Sequence, residues 1–594
     1  MTLPHWNLAN IYPALESLEF DGALKKYAAM LDDLDCYMDE RGMTANGKTD
    51  LAGETVNGYL DRINAALELR WTLWAYVTGY VTTDSYNQLA ARLLSQLDAL
   101  NARSRKQDVR FKGWLGSLAN RQPPIWEEAG AARAHGFYLR EAIEQSRFLM
   151  SEAEESLAAD LALSGISAWS RLQGTVTSQV KVEFARDGKT ETLPITALQN
   201  LSHDPDPDAR RLAHEAELKA WTSVREPLAA AMNGVKGTIA TLNKRRGRRD
   251  ALHQPLDDAR MDTATLEALL GAMSDWFPAF RKYLNAKAKR LGTESLAWWD
   301  LFAPVGGSER HYSWPETQAF VVEQFRTFSD RLAALAERAF KEGWIDAESR
   351  DGKRGGAFCM KVPAIKESRI LCNFDGSLDQ VFTVAHELGH GFHNDCLKDN
   401  TVLQNITPMT LAETASIFCE TLMTEAALTK AAGPDEELVI LETFLQGTTQ
   451  VIVDISSRFL FEREVFERRA EAELSADDFC AIMTRAQKAT YGDALDERTL
   501  HPYMWAWKPH YYRAELQFYN FPYAFGLLFG LGLYAVYKQR GAAFVPDYEN
   551  LLASTGLDSP ANLAARFGID LRDRKFWEDS LKVIERRIER YCQL

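Results

Sequence analysis

Residues 377–393 read Ser377-Leu-Asp-Gln-Val-Phe-Thr-Val-Ala-His386-Glu387-Leu-Gly-His390-Gly-Phe-His393. Inside them lies His386-Glu387-Leu388-Gly389-His390, the HExxH pattern that on a helix makes a zinc site with a base beside it. Residues i and i+4 sit one above the other on a helix face, so both imidazoles can point a ring nitrogen at one ion. Glu387 stands about 100° further round, where it misses the ion yet reaches a water on it. Local signals predict the helix. Gly376 breaks what precedes it, and Ser377 with Gln380 reads as a capping box. Val381, Phe382, Val384, Ala385 and Leu388 then supply an apolar, largely buried face. One histidine on such a face would be a core residue; two of them with Glu387 point to a metal.

Catalytic zinc takes three protein ligands and keeps one position open for water. The HExxHxxGxxH solution would need glycine and then histidine where this chain has His393 and Cys396. A carboxylate from a later helix is the other common solution. Thr407-Pro408 predicts a helix start, and the helix it opens carries Glu413 and Glu420, seven residues apart on one face among apolar neighbours. Carboxylates in such surroundings are costly unless paired or metal-bound. Glu413 is the expected third ligand. Glu420 is the second choice, or a partner that orients a zinc-bound histidine.

The 594 residues exceed what one hydrophobic core serves, so two or more domains are expected. A hydrophobic fraction of 46% and a charged fraction of 25% are those of an ordinary soluble protein. The formal net charge of −15 argues against nucleic acid or an anionic membrane as partner. Seven cysteines without framework spacing read as free thiols in a reducing compartment. Residues 1–11 show neither a basic nor an apolar leader segment, so the expected location is cytoplasmic. Residues 518–537 hold twenty residues without a charge, but Asn520, Pro522 and the aromatic front half predict a buried core helix rather than a membrane span.

Along the chain, residues 15–120 and 138–172 show helical periodicity, with a break at Pro123-Pro124. Residues 179–195 alternate around Asp187-Gly188, which predicts a β-hairpin. Asp206 with Pro207 predicts a helix start, and a boundary near 197–206 divides a helical N-terminal domain, 1–197, from a catalytic domain, 198–594. The basic run Lys244–Arg249 reads as a solvated loop. Residues 261–291 and 313–341 are expected helices, and 355–360 and 370–374 expected short strands just ahead of the zinc helix.

Three blocks together resemble the zinc oligopeptidases typified by oligoendopeptidase F and thimet oligopeptidase. They are Phe374-Asp-Gly-Ser leading to His386-Glu-Leu-Gly-His390, then Glu413-Thr-Ala-Ser416, then His510-Tyr-Tyr-Arg followed by Phe518-Tyr519-Asn-Phe-Pro-Tyr523-Ala-Phe-Gly526. The last block is most similar to the oligoendopeptidase F branch. The resemblance implies a mainly α, gluzincin-like fold: a helical two-lobed shell around a deep substrate channel, with a small β element near the site. It implies zinc on His386, His390 and Glu413, and Glu387 as base. It also implies that His510 and Tyr523, with Tyr519 close behind, donate hydrogen bonds to the substrate carbonyl. The expected function is zinc-dependent cleavage of internal bonds in short unfolded peptides. The rivals are a related zinc carboxypeptidase and a non-catalytic, metal-containing peptide-binding protein.

Overall fold

Three long helices open the chain: Leu18–Glu40, Ala52–Thr83 and Gln88–Gly116. The Ser17 hydroxyl accepts from the Phe20 amide and the Asn87 side chain from the Ala90 amide, satisfying donors that a helix start leaves free. Their apolar residues recur at three- and four-residue steps, so each helix buries one stripe. Tyr59, Phe111 and Trp114 meet in one core, and Tyr27, Leu73, Tyr76 and Leu97 in another. Each such side chain, fully buried, contributes roughly 1.5–3 kcal/mol. The structure is a computed structural model and describes residues 3–594 apart from 45, 46, 48, 49, 187, 308 and 309.

The described residues are mostly helical, with two small sheets. Strands β1 (Lys181–Arg186) and β2 (Lys189–Pro194) form the expected hairpin, with Arg186 opposite Lys189. Of its expected turn pair, Asp187 lies outside the described residues, while Gly188 takes φ +75°, the left-handed region that a tight turn requires.

The second sheet holds β3 (Ile345–Asp346), β4 (Phe358–Val362) and β5 (Glu367–Leu371) in the order β3-β5-β4. Strand β5 runs parallel to β3 and antiparallel to β4. The later two strands are displaced from the expected 355–360 and 370–374. Gly356, at φ +78°, bends the chain ahead of β4, and Lys366, at φ +52°, closes the link to β5. Alternation along β4 sends Met360 and Val362 into the core of the N-terminal helices. Cys359 and Lys361 take the opposite face, where the helix Leu378–Cys396 packs.

Two expected helices are interrupted. Residues 138–172 divide among Gly136–Ser146, Glu152–Ser164 and Ile166–Gln179, and 313–341 divides into Trp314–Phe328 and Asp330–Lys341. In the latter Ser329 is extended and its hydroxyl caps the second helix, a competition between side chain and backbone that serine favours.

By compactness the chain forms two units, neither of them continuous. One comprises residues 1–149, 310–426 and 533–567, the other 150–309, 427–532 and 568–594. The hairpin β1–β2 lies inside the second. There the helix Pro207–Arg245 starts as expected, with the Asp206 side chain accepting from the Asp208 amide and Pro207 in the first turn. The basic run that ends it is paired rather than poised for a ligand: Arg246 meets Glu155 and Arg248 meets Asp257. The uncharged stretch becomes the helix Phe521–Arg540, with Phe525, Leu528, Phe529 and Leu531 buried, as a core helix requires. Among the described residues one helix, Pro434–Arg469, is long and apolar enough to cross a membrane, and 61% of its apolar window is buried.

Candidate metal centre

The HExxH helix, Leu378–Cys396, starts where Gly376, at φ +85°, turns the chain. The Ser377 hydroxyl accepts from the Gln380 amide at 3.3 Å. The reciprocal half of the expected capping box is missing, because the Ser377 amide donates to Asp375 Oδ1 at 2.8 Å instead. Val381, Phe382, Val384, Ala385 and Leu388 are buried as their spacing demands. His386 and His390 then lie on one face with ring centroids 5.0 Å apart, edge to face.

Glu413 reaches them from a segment that is not the single helix expected. Met409–Ala412 is one short turn, Glu413 stands at a break with φ −88° and ψ 3°, and the helix resumes over Thr414–Lys430. Thr407 does not cap it; its hydroxyl pairs with that of Thr555 at 2.9 Å. The break leaves the Glu413 carbonyl and carboxylate both within reach of Ser416, whose hydroxyl donates to Oε2 at 2.7 Å and to the carbonyl at 3.1 Å.

Glu413 Oε2 lies 3.3 Å from His386 Nε2 and 3.3 Å from His390 Nε2. Tetrahedral zinc, with bonds of about 2.0–2.1 Å, separates its ligand atoms by about 3.3 Å. Two imidazoles and one carboxylate at that spacing therefore fit the ion. On the far side of His386, Nδ1 lies 3.3 Å from Glu420 Oε2, where a carboxylate would fix the tautomer of a metal-bound imidazole and raise its basicity. Glu413 is partly buried, and desolvation pushes its carboxyl pKa up, but the two imidazoles outweigh this and hold it well below the usual range. Replacing Glu420 by glutamine is expected to weaken zinc affinity about 10–100-fold while the fold is kept. Competition with a chromogenic chelator measures this; unchanged affinity would remove Glu420 from the site.

Gly389 sets how closely the two segments approach. A Cβ there would lie 2.6 Å from Ser416 Cα and 2.7 Å from the Ala415 carbonyl oxygen, both main-chain atoms that cannot swing aside. Gly389→Ala is expected to force the helices apart, costing about 1–3 kcal/mol of stability and much of the zinc affinity. Denaturant unfolding and metal titration on the one variant read both effects.

Glu387 is 5% exposed, and its Oε2 makes no hydrogen bond. Burial pushes its pKa up, against the pull of His386 and His390. A buried carboxylate that the protein leaves without a donor is suited to take a proton from something that enters the site. His393 stands apart from this group. It is buried against Thr555, Nε2 to Oγ1 2.9 Å, and burial pushes its pKa down to about 3.

His386, Glu387, His390, Glu413 and Glu420 all belong to the first unit, whereas His510, Tyr519 and Tyr523 belong to the second. There the three form a cluster of their own. The Tyr519 and Tyr523 hydroxyls are 2.6 Å apart, and the His510 and Tyr519 rings lie 5.8 Å apart. Asn520 Nδ2 donates to His510 Nε2 at 2.9 Å, which leaves Nδ1 as the protonated nitrogen of the ring. Burial, and then the Arg458 charge, push the His510 pKa down to about 2, so the imidazole is a neutral donor. Arg458 in turn is ion-paired with Asp454, in a π-turn of the helix Pro434–Arg469. The turn into the tyrosine segment is held by Glu462, which accepts from the Phe518 amide at 3.0 Å and pairs with the buried Lys236.

A second group that could hold a cation escaped the sequence reading: His214 and Glu217, one turn apart on the helix Pro207–Arg245, with His501. All three are buried, and His501 Nε2 lies 3.3 Å from Glu217 Oε1. Gln199 and Trp221 donate to that same oxygen at 2.8 and 3.0 Å. The signal that could have found it is the His-x-x-Glu spacing, which faces both side chains the same way.

The family described as Peptidase family M3 matches residues 200–583, and that described as Oligopeptidase F matches residues 126–181. The chromosomal oligoendopeptidase F of Lactococcus lactis subsp. cremoris is 25% identical over 324 residues, 54% of this chain and 53% of that protein. The match thus spans about half the length of that curated relative. The plasmid oligoendopeptidase F of the same organism is 22% identical over 486 residues, 80% of this chain and 78% of that protein. The crystal structure of oligoendopeptidase-F from Enterococcus faecium shares the fold, with a TM-score of 0.71 at 17% identity, covering 96% of this chain and 98% of that one. With a family match over most of its length and the HExxH helix inside the matched span, the chain belongs to peptidase family M3.

Proposed function

We propose that this protein is a zinc-dependent endopeptidase that cuts internal bonds of short unfolded peptides in the cytoplasm. The observation that carries the reading is the donor set His386, His390 and Glu413 at 3.3 Å spacing, with Glu387 buried and unpartnered next to it in sequence. Zinc held there would acidify a water and polarise the substrate carbonyl. Glu387 takes the proton of the attacking water and returns it to the leaving amine. His510 and Tyr523 donate hydrogen bonds to the carbonyl oxygen as it gains charge, each worth about 2.7–4 kcal/mol. Tyr519, hydroxyl to hydroxyl with Tyr523, orients that donor.

Metal analysis of the purified protein, with cleavage of an internally quenched peptide before and after chelation, tests the reading. About one zinc per chain is expected, with activity lost on chelation and restored by zinc. Metal-free protein of full activity would end it. Mass spectrometry of the products from a peptide amidated at its C-terminus separates internal cleavage from trimming, which an amide would block.

A further inference from the structure

A cavity of about 450 Å³ opens beside His390, within the first unit. Its walls include Arg70 and Trp71 from the helix Ala52–Thr83, Lys361 from β4, and Asn394 and Thr407. No aspartate or glutamate lines it.

The two cations in its wall lack the partners their neighbours have. In the same small sheet and its approach, Lys353 pairs with Asp346 at 2.8 Å and Arg369 with Glu367 at 2.9 Å. Among the described residues Lys361 makes no ion pair and no hydrogen bond, and burial alone pushes its pKa down to about 8. Arg70 makes no ion pair either. Its guanidinium lies 4.9 Å from the centroid of the Trp71 ring, and its Nε is buried without a hydrogen-bond partner. Two half-buried cations without an ion pair among the described residues are costly; Asp98 acts on Arg70 only at a distance, and the carboxylates near Lys361, Glu68 and Glu367, line a neighbouring cavity rather than this one. No carboxylate lines this cavity to match the two cations, and an anion that enters it would offset the cost.

We infer that this cavity is a carboxylate-binding subsite, in which Lys361 and Arg70 take a carboxylate of the peptide close to the bond that is cut. The inference rests on the peptidase reading above. The carboxylate is either the peptide's C-terminus or an Asp or Glu side chain; both present the same two oxygens to a lysine and a guanidinium.

The test uses zinc-loaded Glu387→Gln protein, so that binding is read without turnover. N-terminally acetylated oligoalanine peptides are titrated calorimetrically as free acid against amide, and with a single Asp against Asn walked along an amidated chain. The free-acid arm isolates the C-terminus and the Asp arm isolates the side chain. In one arm the carboxylate form is expected to bind about tenfold tighter or more. Adding Lys361→Met or Arg70→Met should bring that ratio close to one, whereas Lys361→Arg should preserve it. Lys361→Glu should reverse the preference, towards lysine placed where Asp was favoured. Melting curves on each variant verify that it is folded. Equal binding of both forms in both arms, or a ratio that survives Lys361→Met and Arg70→Met alike, would overturn the subsite. The same peptides given to protein with Glu387 intact separate the two claims: a binding ratio without any cleavage would leave the subsite standing and sink the peptidase reading.

Discussion

Glu387→Gln is expected to lower turnover about a thousandfold or more while zinc content and peptide affinity stay as they are. Glutamine matches glutamate in shape, so the packing around this nearly buried side chain is retained and no cavity opens. What it loses is the capacity to accept a proton. Glu387 Oε2 has no donor in the protein, so the substitution breaks no internal hydrogen bond at that atom, and stability should change little. A thousandfold in rate corresponds to about 4 kcal/mol of barrier. Steady-state kinetics on a quenched peptide, beside metal analysis of the same preparation, make the measurement. Near wild-type turnover in a zinc-loaded variant would remove Glu387 as the base.

Glu413→Ala is expected to abolish activity by another route, through loss of the ion. Two imidazoles from one helix turn remain, but the carboxylate that closes the triangle with each of them at 3.3 Å is gone. Loss of an outer partner alone costs about 10–100-fold in affinity, so loss of a ligand should exceed that and leave protein purified without zinc. A second readout is thermal. Whatever binds only the folded state raises stability by mass action, so chelation should lower the melting temperature of the wild type and leave that of Glu413→Ala unmoved. The two variants thus dissociate: one holds metal and does not turn over, the other does neither. A Glu413→Ala protein that keeps one zinc per chain would show that the ion sits elsewhere, and the buried His214, Glu217 and His501 group would be where to look.

Much of the centre was legible in the residues because it depends on local rules. The four-residue step stacks His386 over His390 on any α-helix, and the apolar run from Val381 to Leu388 makes that helix bury one face. Gly188 and the Asp206-Pro207 pair announced a turn and a helix start for equally local reasons, and Gly188 in the left-handed region and Pro207 in a first helical turn do what their dihedral preferences dictate. The Thr407-Pro408 helix start and the apolar neighbours pointed to Glu413, whereas only the resemblance proposed a role for the 510–523 segment.

The sequence by itself determined the elements and the face each one buries, since propensity and periodicity act over a few residues. Only the tertiary structure decided how distant segments meet. The helix break at Glu413 is a case: local propensity reads straight through it, and the Ser416 hydroxyl holds the carboxylate where it stands. The contact at Gly389 is another, because the atoms that forbid a side chain there belong to the backbone of a different helix. Arg70 and Lys361 are the third. Each alone reads as an ordinary cation on a helix and a strand, and only the tertiary structure shows that they share a cavity no carboxylate lines. A charge's partner is set by distance in space, which the order of residues along a chain does not encode.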